Sequence, residues 1–121
     1  MTTIEILTFL GRILFGAYFI YSGYNHFKNN KNYIAYAKHK AVPNANLAVP
    51  LTGILLVLGG LGFFLNLLVV QSAFILLIFM IPTTLMMHAY WKEKDAGARA
   101  TEHVAFMKNL ALIGALLTFL K

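Results

Sequence analysis

Three histidines and one lysine beside long apolar segments are the side chains best suited to chemistry in this chain. His26 ends the first apolar segment, His88 ends the third, and His103 begins the fourth, with Glu102 beside it and Lys108 just over one helical turn further on. Imidazole can transfer protons or ligate metals near neutral pH, and an ionisable side chain at membrane depth is a functional candidate by default. Since successive segments run in opposite directions, these residues are expected on one side, where they could form one ionisable cluster.

Other chemistries have less support in the sequence. A metal or haem site would need these imidazoles at ligand distance on facing helices. Histidines at such positions more often form hydrogen bonds at the membrane interface, so neither a metal site nor a haem site is predicted. The chain has no cysteine, which excludes thiol–disulfide exchange by this chain alone and iron–sulfur ligation by cysteine. The methionines near the same end are predicted to fill the core rather than to bind copper: Met80, Met86, Met87 and Met107.

Polar residues and glycines of the first apolar segment fall on opposite faces of a helix. The polar face consists of Tyr18, Tyr21, Ser22 and Asn25. It has two interpretations: hydrogen bonds between helices, which are favoured, or the lining of a polar pocket. The opposite face carries Gly16 and Gly23, and one face of the second segment carries Gly53 and Gly60. Both pairs predict close approach of a neighbouring helix.

The elements that position these residues follow from one long run, Leu47 to Met87, that contains no formally charged side chain. As a single helix it would be about 60 Å long, twice the hydrocarbon core of a bilayer, so it must turn at about residues 64–69 and cross back. The flanking apolar runs are then spans too. The sequence therefore predicts an all-α protein, a four-transmembrane-helix bundle forming one domain over residues 1–121. The predicted spans are residues 4–27, 47–65, 69–90 and 103–120.

The basic residues lie in the links between these spans. The first link holds Lys28, Lys31, Lys38 and Lys40, and the third holds Lys92, Lys94 and Arg99. The net charge of +6 therefore reflects the positive-inside rule, and nucleic-acid binding is rejected. The same rule places the first and third links in the cytoplasm and both termini outside.

Local structure is also expected in the two basic links. Residues 28–46 are expected to contain a short interfacial helix whose lysines reach toward anionic head groups. In the third link, Asp95 is expected to cap the last helix and to pair with Arg99, four residues later.

Several segments together resemble the DoxX family of small four-helix membrane proteins. They are GRILFGAYFIYSGYNHF at residues 11–27, YAKHKAVP in the first link, residues 53–61 with their paired glycines, MHAYWKEKD at 87–95 and EHVAFMKNLALIGALL at 102–117. The positions that match the family pattern are His26, His88, Trp91, Lys108 and Asn109. Some branches carry an acidic residue in the second span, where this chain has none.

The resemblance implies a role beside a membrane oxidoreductase, since the family takes its name from a membrane thiosulfate:quinone oxidoreductase. The leading hypothesis is an accessory or anchor subunit of a quinone-linked electron-transfer assembly in a bacterial plasma membrane. A quinone or a lipid head group would then bind at His26, His88, His103 and Lys108, with Trp91 and Asn109 nearby. The expected partners are the lipid bilayer and other membrane subunits or further copies of the chain.

Two other functions stay open, and so does the question of whether the chain is itself an enzyme. One alternative is a non-catalytic structural or assembly subunit, whose glycine-rich faces would pack against a larger membrane complex. The other is a small transporter, which ranks last because the spans hold no acidic residue near mid-membrane for proton coupling.

Overall fold

The computed structural model describes all 121 residues as an all-helical chain. Its helices are α1 (Thr3–Lys28), α2 (Asn30–His39), α3 (Ala45–Leu65), α4 (Val69–Met87) and α5 (Ala96–Leu117), with one turn of 3-10 helix at Tyr90–Lys92. The all-α class is confirmed. The chain has five α-helices rather than four, because the first link folds into α2.

Three segments are long and apolar enough to cross a membrane: Thr3–Lys28, Ala45–Leu65 and Val69–Lys92. They agree closely with the first three predicted spans. The fourth predicted span lies in α5, which does not meet the same criterion. This helix begins before the predicted span and carries Arg99, Glu102 and Lys108 among its apolar residues. A crossing by α5 therefore stays a prediction.

The helix ends follow local sequence signals. Thr2 caps α1 in a reciprocal pair with Glu5, which satisfies two free amide groups. Asp95 accepts a hydrogen bond from the amide of Ala98 at 2.9 Å, so the predicted cap of α5 is confirmed. The predicted pair with Arg99 is wrong, because this guanidinium donates to the backbone carbonyls of Glu93 and Lys94 instead.

The turn predicted at residues 64–69 is confirmed. Helix α3 ends at Leu65 and α4 begins at Val69, with Asn66 and Leu68 between them in left-handed backbone conformations at φ 55° and 50°. Asparagine adopts this conformation more readily than most residues. Two such residues in a short turn reverse the chain, so α3 and α4 form a helical hairpin.

Glycines let α1 and α3 approach until their backbones are in contact. A Cβ atom added at Gly16 would lie 2.6 Å from the carbonyl oxygen of Gly60, and one at Gly60 would lie 2.8 Å from that of Gly16. A Cβ atom at Gly23 would lie 2.7 Å from the carbonyl oxygen of Gly53. The close packing predicted for all four glycines is confirmed, and the two faces prove to be each other's partners.

The remaining packing follows the order of the chain: α3 packs on α4, and α4 packs on α5. Phe19, Leu56, Phe63, Leu76 and Leu116 are fully buried at the centre of the bundle. Helices α1 and α5 have almost no backbone contact, so side chains alone close the bundle between them. Large apolar side chains cover the outside of the spans, as expected where lipid is the solvent.

Candidate functional site

A partly open cavity of about 560 Å³ lies between the helices, at the end where the first and third links meet. All five helices contribute to its walls, and 13 of its 22 lining residues are hydrophobic. Its principal polar side chains are Tyr18, His26, Thr52, His88, Lys108 and Asn109. Apolar walls with a few converging polar groups are typical of a small-molecule site.

His26 is buried beside this cavity and held in one tautomer. Its Nδ1 atom lies 2.8 Å from the backbone carbonyl of Ser22. A carbonyl can only accept, so Nδ1 carries a proton, and in the neutral ring Nε2 is left as an acceptor. The ring packs edge-on against Tyr33 at 4.7 Å between centroids, and Gly53 lies against the His26 Cβ atom. The glycine contact between α1 and α3 therefore also positions this imidazole.

Lys108 contributes the formal positive charge of the cavity wall. Its Nζ atom donates to the hydroxyl of Tyr18 at 3.2 Å, and lies 5.7 Å from the centre of the same ring. None of the ion pairs in the chain involves Lys108. An ammonium has three donors, so two of them remain for a ligand.

Asn109 and His88 complete the polar wall from α5 and the end of α4. Asn109 is buried and donates from Nδ2 to the Thr84 hydroxyl at 3.1 Å. His88 lies 3.3 Å from Glu102 through its Nδ1 atom. Because an ionised carboxylate only accepts, Nδ1 is the donor in this contact. His88 therefore joins the cavity to a group of charged residues behind it.

These residues form what we call the Glu102 cluster: Tyr36, Lys40, His88, Glu93 and Glu102. The Tyr36 hydroxyl donates to Glu102 at 2.6 Å, and the Lys40 ammonium lies 2.6 Å from Glu93 and 2.5 Å from Glu102. The side chains of Lys40 and Glu102 are only 10% and 7% exposed. The cluster ties the end of α2 to the third link and to α5, so the first and third links lie at one end of the bundle.

The hydrogen bonds of this cluster shift the pKa values of its members. Burial acts against the charged form of Lys40, but its bonds to Glu102 and Glu93 outweigh burial and raise its pKa. Burial likewise opposes the charge on Glu102, whose pKa is nevertheless lowered by hydrogen bonds from Lys40, Tyr36 and His88. Burial, followed by the bond to Glu102, raises the pKa of Tyr36 to about 12. At neutral pH the cluster therefore holds a neutral phenol between charged groups.

Comparison with known protein families identifies the family of this chain. The sequence model of the DoxX family matches residues 7–89. This chain belongs to the DoxX family. The match runs from residue 7, inside α1, to just past the end of α4 and includes His26 and His88, whereas Lys108 and Asn109 follow the matched region. No curated protein and no solved structure matches the chain.

The predicted site residues of this DoxX protein do not all lie together. The structure brings four of them to the cavity wall: His26, His88, Lys108 and Asn109. His103 is exposed and packs against the Tyr90 ring at 4.6 Å between centroids. Trp91 packs on Tyr90 and Phe106, and neither His103 nor Trp91 lines the cavity. Tyr18 and Ser22 of the predicted polar face reach the cavity, as the pocket interpretation requires.

Sequence reasoning missed three residues of the Glu102 cluster, namely Tyr36, Lys40 and Glu93. The prediction that the lysines of the first link reach toward head groups is wrong for Lys40, whose ammonium is held by two carboxylates. One signal was present: Tyr36 and Lys40 are four residues apart, which places them on one face at the end of α2. Their acidic partners belong to the other link.

No group of three His, Asp or Glu side chains is arranged to hold a metal ion.

Proposed function

We propose that this DoxX protein is an accessory or anchor subunit of a quinone-linked membrane oxidoreductase, and that its cavity binds the quinone head group. One observation carries the proposal: polar groups from separate helices converge on a largely apolar cavity within membrane-spanning helices. Burying polar groups within the membrane costs free energy, so such groups commonly mark ligand or ion sites. The proposal assigns electron delivery to a partner subunit.

The cavity wall matches the chemistry of a quinone. A quinone ring is flat and apolar with two carbonyl oxygens that accept hydrogen bonds, and the free donors of Lys108 suit such an oxygen. The reduced form carries hydroxyl groups that donate, and the free Nε2 atom of His26 accepts. Phe19, Leu56 and Phe79 supply apolar walls for the ring. The same site therefore suits both forms of the molecule.

The proposed orientation has α5 as a fourth crossing, with the first and third links in the cytoplasm and both termini outside. Lys40 pairs with Glu93, which requires the two links to share a side, and most of the basic residues lie there. The positive-inside rule assigns that side to the cytoplasm. The cavity then lies toward the cytoplasmic leaflet of a bacterial plasma membrane.

Binding of a short-chain benzoquinone to the purified protein in lipid nanodiscs tests the proposal. We expect saturable binding that weakens at least tenfold in Lys108→Met, which corresponds to about 1.4 kcal/mol and is near the value of a hydrogen bond to a charged group. The matched control is Lys28→Met. Lys28 lies over the Tyr24 ring at 5.9 Å, much as Lys108 lies over Tyr18, but it does not line the cavity.

The main alternative is a structural subunit that holds no ligand. It would be supported by a stoichiometric partner in pull-downs from native membranes, normal turnover of the complex after His88→Ala, and no quinone binding. The structural alternative requires glycine-rich helix faces that are open to a partner protein. Four of these glycines already pack against another helix of the same chain and so offer no surface to a partner: Gly16, Gly23, Gly53 and Gly60. Gly11 and Gly114, which have nothing within 4 Å, are left open. The quinone site therefore has the stronger support.

A further inference from the structure

We propose that the cavity receives its ligand from the bilayer, through an opening between α1 and α5 that the Tyr18–Lys108 pair narrows. The ligand is then a membrane-dissolved amphiphile with a hydrogen-bond-accepting head group, and not a water-soluble metabolite. This route of entry rests on the proposed function in one respect, namely that the ligand binds in the same cavity. The new elements are the phase from which the ligand comes, the bilayer, and the chemical class of the ligand.

Toward water, the cavity is covered by α2 and the Glu102 cluster. Tyr33 and Ala37 of α2 line the cavity, so this helix lies across its end. Tyr36 and Lys40 then fasten α2 to Glu102 of α5, at 2.6 and 2.5 Å. A ligand arriving from the aqueous side would have to break a network of charged hydrogen bonds, which are among the stronger polar contacts in proteins.

Between α1 and α5, only side chains close the bundle, since the two helices have almost no backbone contact. Near the end away from the links, the rings of Phe15 and Phe119 lie 6.0 Å apart. Beside the cavity, the bridge is the single hydrogen bond from Lys108 to Tyr18. Both residues line the cavity and are also exposed on the outside, Tyr18 by 43%. Movement of these two side chains would widen the opening of the cavity between α1 and α5.

The depth of this bridge places it in hydrocarbon. Tyr18 lies ten residues before the end of α1 at Lys28, or about 15 Å along the helix, and Lys108 lies about 9 Å beyond Glu102. The hydrocarbon core is about 30 Å thick, so an opening at Tyr18 faces acyl chains rather than head groups. A ligand that enters there must already be dissolved in the membrane.

The class of ligand follows from the same pair. Lys108 has two unused N–H donors and no carboxylate partner, so a head group with acceptor oxygens satisfies it once inside. The surrounding walls are largely apolar, and the opening lets a tail remain in the bilayer. A water-soluble metabolite has no apolar part for either surface.

Cysteine labelling tests the entrance without any quinone, because the natural chain has no cysteine. Three single variants in lipid nanodiscs are compared: Thr52→Cys in the cavity wall, Leu51→Cys on the exposed face of α3 at the same depth, and Lys38→Cys in the exposed part of the first link. Each reacts with a long-chain alkyl maleimide dissolved in lipid and with a sulfonated maleimide dissolved in water. Mass spectrometry follows both rates.

We expect the ratio of lipid-phase to water-phase labelling at Thr52→Cys to be within tenfold of that at Leu51→Cys. It should exceed the ratio at Lys38→Cys by at least a hundredfold. Adding Lys108→Met should raise lipid-phase labelling of Thr52→Cys about fivefold, the factor expected for losing one hydrogen bond, and leave water-phase labelling unchanged. Ala48→Cys, another position in the wall, replaces Thr52→Cys if that variant folds poorly.

Three results would overturn the proposal. Water-phase labelling of Thr52→Cys as fast as that of Lys38→Cys would place the entrance on the aqueous side. No labelling from either phase would mean that the cavity is closed to the bilayer. An unchanged rate in Lys108→Met would show that the Tyr18–Lys108 pair does not narrow the opening. Absence of quinone binding would instead contradict the proposed function and leave the lipid-side entrance standing.

Discussion

Alanine at Gly16 is expected to force α1 away from α3 and to destabilise the bundle. The added Cβ atom would lie 2.6 Å from both the Gly60 carbonyl oxygen and the Phe64 amide nitrogen. These are backbone atoms of another helix, so no side-chain rotation can relieve the contact. Ordinary contact begins at 3.4 Å, which requires the helices to separate by about 0.8 Å, the difference between the two distances.

The expected loss follows from two opposing effects. Overpacking of this kind costs about 1–3 kcal/mol, whereas alanine favours a helix over glycine by about 0.5–1 kcal/mol. We therefore expect a net loss of about 1–2 kcal/mol for Gly16→Ala. Gly11 lies on the same helix with nothing within 4 Å of its added Cβ atom, so Gly11→Ala should be neutral or slightly stabilising. It is the matched control.

Reversible unfolding in mixed micelles of mild detergent and SDS measures both variants. The double variant Gly16→Ala/Gly60→Ala is more informative than either single change, because one separation of the helices relieves both contacts. Its loss should be smaller than the sum of the single losses. Equal stability of Gly16→Ala and Gly11→Ala would refute the close backbone contact between α1 and α3.

Two further predictions concern the Glu102 cluster. Lys40→Met leaves two carboxylates without their cation and should lower the free energy of unfolding by about 3 kcal/mol. Much of this loss should be recovered in the double variant Lys40→Met/Glu102→Gln. Equal losses in the single and double variants would count against the pairing. The raised pKa of Tyr36 means that stability is lost between its unfolded value of 10.0 and its folded value of about 12, since the unfolded chain ionises first. Tyr36→Phe should flatten the unfolding free energy over that alkaline range, measured by the same micelle titration, and an unchanged slope would contradict the assignment. On the acid side, the lowered pKa of Glu102 gives stability that is present above its unfolded value of 4.5 and lost as the pH falls through its folded value.

The three apolar spans could be predicted because their signal is composition over a long window, which no distant contact can change. The turn near Asn66 followed from the same length argument. Helix α2 is short and polar: a short helix was expected in the first link, but hydropathy gave no sign that it would line the cavity. Its position across the cavity depends on contacts with residues far along the chain.

The candidate site could be predicted only in part. Membrane sidedness correctly placed His26 and His88 at one end of the bundle, but it does not say which way a side chain points. Helical angle would have separated His103 from the cavity residues of α5, because it lies about 140° from Lys108 and about 120° from Asn109. The pairing of Lys40 with Glu93 spans 53 residues, and nothing local in either link encodes it.

The pairing of Lys40 also has a consequence for how the chain enters the membrane. Glu93 follows Lys40 by 53 residues, so the ribosome adds its first acidic partner roughly 3–10 s after the lysine has been synthesised. In that interval it is a free cation, which in the proposed orientation helps to retain its link in the cytoplasm. Once α4 and α5 are in place, the same charge is neutralised inside the fold. A chain in which only one of α3 and α4 crosses the bilayer would leave Lys40 and Glu93 on opposite sides, so the contact forms only in molecules in which both helices have crossed.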